Sequence, residues 1–389
     1  MIAIVIRLKK KYKLDKKKVI IIGPAFPLRG GIANFNNLLA KAYKDLGIDV
    51  VVYSFSLQYP SFLFPGTSQY ENGDAPNINI KTCINSINPI NWFKVAKNIS
   101  SEKADYVVVR YWLPFMAPCL GVISRLIRGK TKVIAITDNV IPHEKRIGDH
   151  FLTSFFVKSC DGFICLSKSV LLDLNKFTSS IHKKFFPHPI YNTFGNKLNK
   201  KQARQNLQLT KNGKYLLFFG FVREYKGLDL LLNALADRRI KKMGIKLIVA
   251  GEFYEDKSKY LNLIKSLDIQ DSVILKSSFI SADEVKNYFC AADLITQTYK
   301  TATQSGITQI AYHFDRPMLV TDVGGLSEIV PHLKVGYVTK KESLDIANCI
   351  YDFYNNDRED EFSDNVKKEK IRFSWDKFIL NANELVDSI

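Results

Sequence analysis

The sequence predicts two α/β domains, each built on a parallel β-sheet, that face each other across a cleft. Short apolar runs rich in β-branched residues alternate with segments of helical period, which is typical of parallel strands joined by crossover helices. A single polar, Lys/Asn/Gln-rich stretch at 191–214 interrupts the alternation. A chain of 389 residues is long enough for two such domains.

The strands predicted before the interruption follow five apolar runs: KKVIIIGP (17–24), IDVVVYSF (48–55), ADYVVVRYW (104–112), KVIAITDN (132–139) and DGFICLS (161–167). The interruption is expected to be partly helical over 201–207 and to connect the domains. Six further runs predict the second sheet: KYLLFFGFV (214–222), IKLIVAGEF (245–253), SVILKSSFI (272–280), DLITQTY (293–299), RPMLVTDVGG (316–325) and VGYVTK (335–340).

The composition narrows the class of protein. A 46% hydrophobic share with 12% aromatic residues argues for buried cores rather than disorder. The formal charge of +18 fits a nucleic acid, an anionic membrane or a phosphorylated small molecule as partner. No helix-turn-helix, zinc site or RNP-type pattern is apparent, which argues against nucleic acid.

The cysteines and the apolar segments favour a cytoplasmic location. Six cysteines form no CxxC pair, so buried reduced thiols are expected. At the N-terminus the apolar residues precede the positive charges, the reverse of a secretory signal. The most apolar stretch, 112–127, is interrupted by prolines and an arginine, so a transmembrane helix is not expected.

The loop after the first predicted strand contains Gly30 and Gly31, ahead of a helix expected to start near Ile32. Glycines at a helix entrance let a ligand approach the backbone, where free amides favour an anion. A sterically required turn would explain the same glycines. The dinucleotide fingerprint GxGxxG is absent from this loop, which argues against a nicotinamide or flavin enzyme.

A second loop, FGFVREYKG (219–227), places the cations Arg223 and Lys226 between glycines. Ligands of open parallel sheets bind beyond the carboxyl ends of the strands, so both cations are expected to converge on one phosphate-bearing ligand. A solvated charge cluster is the alternative.

A third loop, 301–306, holds Thr301, Thr303, Ser305 and Gly306 ahead of a helix expected over 307–313. Amides and hydroxyls at such a helix N-terminus can bind phosphate without a metal. An ordinary N-cap would account for one of these hydroxyl residues, but not for all of them.

Together these loops resemble those of the GT-B retaining glycosyltransferases of glycosyltransferase family 4, over essentially the whole chain. GGI (30–32) is similar to the family's N-terminal Gly-Gly loop, and VREYKG (222–227) to its diphosphate-binding motif, with Lys226 matching and Arg223 displaced from the usual arginine position, here Phe221. TDVGGLSEIV (321–330) resembles the strand and turn that close the nucleotide domain. FSWDKF (373–378) resembles the C-terminal helix that returns to the first domain.

The resemblance implies two Rossmann-like, doubly wound domains. The first is an acceptor-side domain over 1–195 and the second a nucleotide-sugar-binding domain over 196–372. A C-terminal helix over 373–389 returns to the first domain. Donor contacts are implied at Gly30, Gly31, Ser305 and Gly306. The nucleobase is expected beside Phe279 and Ile280, with a core contact as the alternative for Phe279.

Two positions depart from the family pattern. The family usually carries two glutamates where this sequence has Thr301 and Gln309; the Gln309 amide can still hold the ribose, whereas Thr301 leaves the choice of sugar open. A histidine often found after the fourth predicted strand is replaced by Asp138, with His143 and Glu144 close behind. Asp138 and His143 are therefore candidate catalytic residues, although neither is assigned as a general base.

The implied activity is transfer of a sugar, with retention, from a nucleotide-diphosphate sugar to a glycan or lipid-linked acceptor in bacterial surface polysaccharide or lipopolysaccharide biosynthesis. Arg223, Lys226 and the amides at 305–306 would stabilise the leaving diphosphate as its negative charge grows. The sequence contains no Asp-x-Asp pair, so metal-independent catalysis without a further cofactor is expected.

The lysines of the N-terminal stretch and of surface helices are expected to attract an anionic membrane face, where a lipid-linked acceptor would lie. The predicted location is thus cytoplasmic and peripheral to the inner face of the plasma membrane. A solvated lysine face is the alternative.

Two other functions stay open. One is a nucleotide-sugar epimerase on the same fold. The other is a GT-B nucleotide-sugar-binding protein with weak catalysis, since both glutamate positions are changed. A two-domain solute-binding protein would need a secretory signal, which is not predicted.

Overall fold

The computed structural model describes residues 17–60, 69–70, 75–142, 146–190, 193–302 and 305–389. The chain divides into two compact units, Met1–Pro187 with Trp375–Ile389, and His188–Ser374. The boundary expected after residue 195 falls later in the chain than this division. Residues 188–190 lie in the second unit, where the Ile190 amide donates to the Phe373 carbonyl at 3.0 Å.

The first unit contains a seven-stranded parallel sheet in the order β3-β2-β1-β4-β5-β6-β7 among the described residues. Its strands are β1 Lys18–Ile22, β2 Asp49–Leu57, β3 Asn79–Asn85, β4 Tyr106–Tyr111, β5 Lys132–Thr137, β6 Gly162–Cys165 and β7 Lys183–Phe185. Its helices are α1 Gly31–Asp45, α2 Pro89–Ser101, α3 Ala117–Ile127, α4 Asp149–Val157 and α5 Lys168–Leu174, and a 3₁₀ turn spans Pro114–Met116.

Alternate residues of β1 face opposite sides of this sheet. Ile20 and Ile22 pack into one core, with α2, α3 and α4, whereas Val19 and Ile21 pack into the other, with α1. A sheet covered on both faces explains the uninterrupted apolar runs in the sequence.

The second unit contains a six-stranded parallel sheet in the order β10-β9-β8-β11-β12-β13. Its strands are β8 Lys214–Phe219, β9 Ile245–Ala250, β10 Val273–Lys276, β11 Leu294–Gln297, β12 Met318–Thr321 and β13 Gly336–Thr339. Its helices are α6 Lys200–Asn206, α7 Leu228–Leu235, α8 Arg238–Lys242, α9 Ser258–Ser266, α10 Ala282–Ala291, α11 Gly306–His313, α12 Leu326–Ile329, α13 Ser343–Asn355 and α14 Glu359–Glu369. Short 3₁₀ turns span Glu224–Lys226, Gln270–Ser272 and Lys370–Phe373.

The last helix, α15 Trp375–Asp387, belongs to the first unit. Its aromatic side chains pack against α1: the ring centre of Phe35 lies 5.1 Å from that of Trp375 and 6.0 Å from that of Phe378. The ring centre of Phe186 also lies 6.0 Å from that of Phe378.

All six strands predicted for the second sheet are present, and the first sheet has two strands that were not predicted, β3 and β7. Both are edge strands with exposed or half-buried positions, so neither forms the continuous apolar run that marks an inner strand. No helix among the described residues combines the length and the apolar character needed to cross a bilayer.

Candidate functional site

The loop between β8 and α7 is held by hydrogen bonds on both sides. On one side, Val222 donates to the Glu252 carbonyl at 2.7 Å, in the loop after β9. On the other, the Thr298 hydroxyl donates to the Gly227 carbonyl at 2.8 Å, after β11. The loop is thus clamped between its two neighbours at the carboxyl edge of the sheet, where α/β folds bind ligands.

Glycines at the two ends of this loop leave room for close approaches. A Cβ atom at Gly227 (φ +65°) would lie 2.0 Å from the Thr298 carbonyl oxygen. A Cβ atom at Gly220 (φ +91°) would lie 3.2 Å from Nζ of Lys226 and 3.6 Å from Cδ1 of Ile307. Gly220 therefore lets the ammonium group of Lys226 sit beside the first turn of α11.

The ammonium group of Lys226 is largely withdrawn from solvent, with the residue 8% exposed. Burial, and secondarily the charge of Arg223, lowers the pKa of Lys226 to about 8. Its Nζ has no hydrogen bond or ion pair within the described residues and lies 5.8 Å from the ring centre of Tyr299. A buried cation without a counter-charge is costly, so this position favours an anionic ligand.

The N-terminus of α11 adds a second positive element. Ser305 caps the helix by accepting from the Ile307 amide at 3.2 Å, and its hydroxyl lies 3.2 Å from that of Tyr299. Gly306, the first residue of the helix, is exposed. Free amides and the helix dipole at such an end attract negative charge. Ser305 thus has a structural role, and the exposed backbone at Gly306 is the surface open to a ligand.

Arg223 lies on the solvent side of the same loop. Its guanidinium is stacked over Tyr254, 4.9 Å from the ring centre, and the Tyr254 ring lies 4.4 Å from that of Phe221. All three residues are exposed. This stacking holds the guanidinium on a preformed aromatic surface near Lys226, so Arg223 can reach an anion without first being ordered.

Two buried glutamines lie near these elements, Gln297 at the end of β11 and Gln309 in α11. Each is 1% exposed or less, and neither end of either amide has a hydrogen-bond partner among the residues that the structure describes. Both side chains therefore carry unmet hydrogen-bonding capacity. The Gln309 amide lies beneath the surface, so contact with a ribose requires that the amide first become exposed.

Three further predicted residues lie in the second unit. Thr301 is exposed in the loop after β11. Phe279 is 66% exposed, so its alternative interpretation as a core residue is wrong. Ile280 is half-buried and packs against the core that contains α10. Phe279 and Ile280 precede the capping box of α10, formed by Ser281 and Glu284, which fixes where the loop ends.

In the first unit, Gly30 and Gly31 lie at the entrance to α1. Gly30 has φ +116°, and a Cβ atom at either glycine would meet no atom of the described chain within 4 Å. The preceding loop is held by α1 itself: Asn36 donates to the Pro24 carbonyl at 2.8 Å, and Asn37 accepts from the Phe26 amide at 3.2 Å. Among the residues that the structure describes, none fills the space beside the two glycines.

Asp138 follows β5 and is bound by Arg110 from β4. The guanidinium donates from Nε to Oδ2 at 2.6 Å and from Nη2 to Oδ1 at 2.5 Å. Arg110 is buried and stacked over Phe35 of α1 at 3.9 Å from the ring centre, whereas the Asp138 side chain is 20% exposed. Asp138 is therefore a carboxylate held in place by a buried cation, with part of its surface open to solvent.

The remaining catalytic candidate, His143, lies outside the described residues, as do Glu144 and Thr303. Within the described chain, no group of three or more His, Cys, Asp or Glu side chains is arranged to hold a metal ion.

The structure thus brings Lys226 and the entrance to α11 together, with Arg223 nearby, in the second unit. Gly30, Gly31 and Asp138 lie at one edge of the sheet in the first. Tyr299, Gln297 and Arg110 could not be singled out from the sequence. They are distinguished by a contact with a residue distant along the chain or by burial, which local patterns do not reveal.

The second unit matches a known protein family. Residues 199–370 match the family model described as glycosyl transferases group 1. This range contains Arg223, Lys226 and the entrance to α11.

Two curated relatives match part of the chain. Alpha-monoglucosyldiacylglycerol synthase of Streptococcus pneumoniae is 30% identical over 169 residues, which is 41% of this chain and 37% of that protein. Lipopolysaccharide 1,2-N-acetylglucosaminetransferase of Salmonella typhimurium is 28% identical over 144 residues, 34% of this chain and 37% of that protein. The matches thus span little more than a third of the relatives' length.

Solved structures resemble nearly the whole chain. Sucrose-phosphate synthase from Thermosynechococcus elongatus has a TM-score of 0.71 at 13% identity, covering 96% of this chain and 99% of its own. HepE from Anabaena, in complex with UDP, has a TM-score of 0.70 at 17% identity, covering 96% and 100%. These likenesses confirm the predicted fold, two doubly wound parallel-sheet domains of the GT-B type.

Proposed function

We propose that this protein is a glycosyltransferase that moves a sugar from a nucleotide-diphosphate sugar to a glycan or lipid-linked acceptor. The observation that carries the proposal is the buried Lys226 ammonium beside the N-terminus of α11, within the segment that matches the group 1 family model. An ammonium group and a helix N-terminus that converge in this way suit a diphosphate.

In the proposed reaction, the bond between the anomeric carbon and the diphosphate oxygen breaks, and its electron pair stays on the diphosphate. A bond forms between the anomeric carbon and an acceptor hydroxyl oxygen, whose proton passes to the departing diphosphate or to solvent. Lys226, Arg223 and the amides at 305–306 offset the charge that grows on the leaving group. The transfer proceeds with retention and without a metal or other cofactor.

The other predicted residues have supporting roles in this proposal. Gln309 holds the ribose, Phe279 and Ile280 flank the nucleobase, and Thr301 lies toward the donor sugar. In the first unit, the open space at Gly30 and Gly31 and the carboxylate of Asp138 serve the transferred sugar and its acceptor.

The names of the relatives support the acceptor class and the pathway. One relative is named for a glucosyldiacylglycerol and another for a lipopolysaccharide. We therefore place the acceptor among membrane-associated glycans and glycolipids, and the pathway in bacterial surface polysaccharide or lipopolysaccharide biosynthesis.

The first test is nucleotide binding. UDP, GDP and ADP are added separately, and affinity is measured by thermal stabilisation and calorimetry. The proposal expects binding of at least one of them, and a large loss of affinity in Lys226→Met. Lys242→Met, which removes an exposed lysine from α8, serves as the charge-matched control and should bind normally. Absence of binding to all three nucleotides would contradict the proposal.

The second test separates transfer from epimerisation. The sugar nucleotide of the best-binding base is incubated with and without a glycolipid extract, and the products are separated by mass and by sugar stereochemistry. A glycosylated lipid together with free nucleoside diphosphate supports transfer. An epimerised sugar nucleotide formed without an acceptor would show an epimerase, and binding without turnover would show a binding protein.

A further inference from the structure

The first unit exposes large apolar side chains at the N-terminal ends of two helices. Ile87, Ile90 and Phe93 lie at the start of α2, and Ile147 and Phe151 at the start of α4. All five are between 52% and 109% exposed. Single exposed apolar residues are ordinary, but grouping at two helix ends is not.

These two helix ends belong to one surface. Helices α2 and α4 follow the parallel strands β3 and β5, whose carboxyl ends lie at the same edge of the sheet. Both pack on the same face, because Trp92 of α2 and Phe156 of α4 belong to one core. Helix α3 packs between them, so the two ends are about 20 Å apart, two helix spacings of roughly 10 Å.

The exposed face of α2 combines apolar and basic residues. Ile90, Phe93, Lys94 and Lys97 recur at the spacing that places residues on one side of a helix, and all four are exposed. Neither lysine has an ion pair among the described residues. At the other helix end, Arg146 is exposed beside Ile147, and the nearby Asp149 carboxylate accepts from the Arg146 amide at 2.7 Å.

We propose that this basic apolar surface, made of Ile87, Ile90, Phe93, Lys94, Lys97, Arg146, Ile147 and Phe151, docks onto an anionic lipid bilayer. Apolar side chains that enter the headgroup boundary beside free lysines are the combination that binds such a surface. A second copy of the chain is a poorer occupant, because each copy carries a formal charge of +18.

The location of the surface connects it with the first-unit site. The entrance to α1, with Gly30 and Gly31, lies at the same carboxyl edge of the sheet. A docked bilayer would therefore lie along the edge at which the acceptor is proposed to bind. This connection rests on the proposed function, whereas docking itself does not.

Vesicle binding tests the proposal without any nucleotide. The full chain is sedimented with vesicles of phosphatidylcholine alone and of phosphatidylcholine with 30% phosphatidylglycerol, roughly the anionic content of a natural leaflet. We expect binding to the anionic vesicles that weakens as salt rises. Ile90→Ser/Phe93→Ser should weaken it about tenfold or more, since two apolar anchors are lost. Lys94→Gln/Lys97→Gln should weaken it about fivefold for each lysine removed.

Matched variants of the second unit serve as controls. Leu344→Ser/Ile371→Ser removes two comparably exposed apolar side chains, and Lys201→Gln/Lys242→Gln removes two exposed lysines. Both should bind vesicles like the unaltered chain, and UDP, GDP and ADP binding and thermal unfolding should be unchanged in all four variants. Failure of these nucleotides to bind would count against the proposed function alone.

Three results would overturn the proposal. The first is no sedimentation of the unaltered chain with anionic vesicles. The second is normal vesicle binding by both α2 variants, with loss only on neutralising the lysines of residues 1–16. The third is a dimer in solution that Ile90→Ser/Phe93→Ser converts to a monomer, without any effect of lipid.

Discussion

Arg110 and Asp138 form a two-bond ion pair in which the cation is buried and the carboxylate is partly exposed. The pair occupies the position at which a histidine was expected. Arg110 also stacks on Phe35, so the orientation of the carboxylate depends on α1.

Asp138→Asn should destabilise the first unit by about 3 kcal/mol, because the buried guanidinium of Arg110 loses its counter-charge. Urea unfolding measures the loss. The control is Asp173→Asn, which breaks an exposed pair with Lys176 and should cost less than about 1 kcal/mol. Equal effects of the two substitutions would mean that the buried pair contributes no more than an exposed one.

Nucleotide affinity should fall as pH rises above about 8. Burial holds the pKa of Lys226 near 8 in the free protein, and a bound diphosphate favours the charged form and raises it. Below pH 8 the ammonium is already protonated, so affinity is highest there. Above it, binding must take up a proton and weakens by at most about tenfold per pH unit.

Calorimetry at pH 7, 8 and 9, in buffers of different ionisation enthalpy, measures both the affinity and the proton uptake. Lys226→Met should bind weakly and lose the pH dependence. A constant affinity from pH 7 to 9 in the unaltered protein would place the diphosphate away from Lys226.

Gly227→Ala should be far more harmful than Gly244→Ala, although the two glycines have nearly the same φ, +65° and +64°. A left-handed alanine costs about 1 kcal/mol at either position. At Gly227 the new methyl group also meets the Thr298 carbonyl, which adds about 1–3 kcal/mol, whereas at Gly244 no atom of the described residues lies within 4 Å. Chemical unfolding compares the two. Nucleotide affinity should fall in Gly227→Ala alone, because the loop that carries Lys226 must move.

Gln309→Leu should lower nucleotide affinity without lowering the stability of the protein. The buried amide has no partner among the described residues, so an apolar side chain of similar size should leave stability unchanged or raise it. Nucleotide affinity should nevertheless fall, by less than in Lys226→Met, if the amide holds the ribose. Thermal unfolding and calorimetry measure the two effects, and Gln297→Leu is the matched control for loss of a buried amide. Unchanged affinity would exclude Gln309 from the site.

The inner strands could be predicted from the sequence because they are covered on both faces. β1, for example, reads as an unbroken apolar run and lies inside its sheet, between β2 and β4. β3 could not, since an edge strand exposes alternate residues and its sequence, NIKTCIN, resembles a surface loop. The short edge strand β7 could not be predicted for the same reason.

The candidate site could be predicted only where its residues lie close together in the sequence. Arg223 and Lys226 lie in one short loop, so their spacing is visible in the sequence. The approach of Lys226 to α11 depends instead on the missing side chain of Gly220 and on the packing of Ile307. Arg110 pairs with Asp138, the residue directly after the neighbouring strand β5, and no local sequence pattern indicates such a partner.

Because α15 belongs to the first unit, the first unit cannot complete its fold until the end of the chain has been synthesised. When Pro187 leaves the ribosome, the surface of α1 that packs on Trp375 and Phe378 still lacks its cover. At 5–20 residues per second, the rest of the chain takes about 10–40 s to appear. Over that interval the second unit can fold, whereas the first presents bare aromatic side chains such as Phe35 and Phe186. Nascent chains halted before residue 375 should therefore recruit chaperones or aggregate more than the complete chain does.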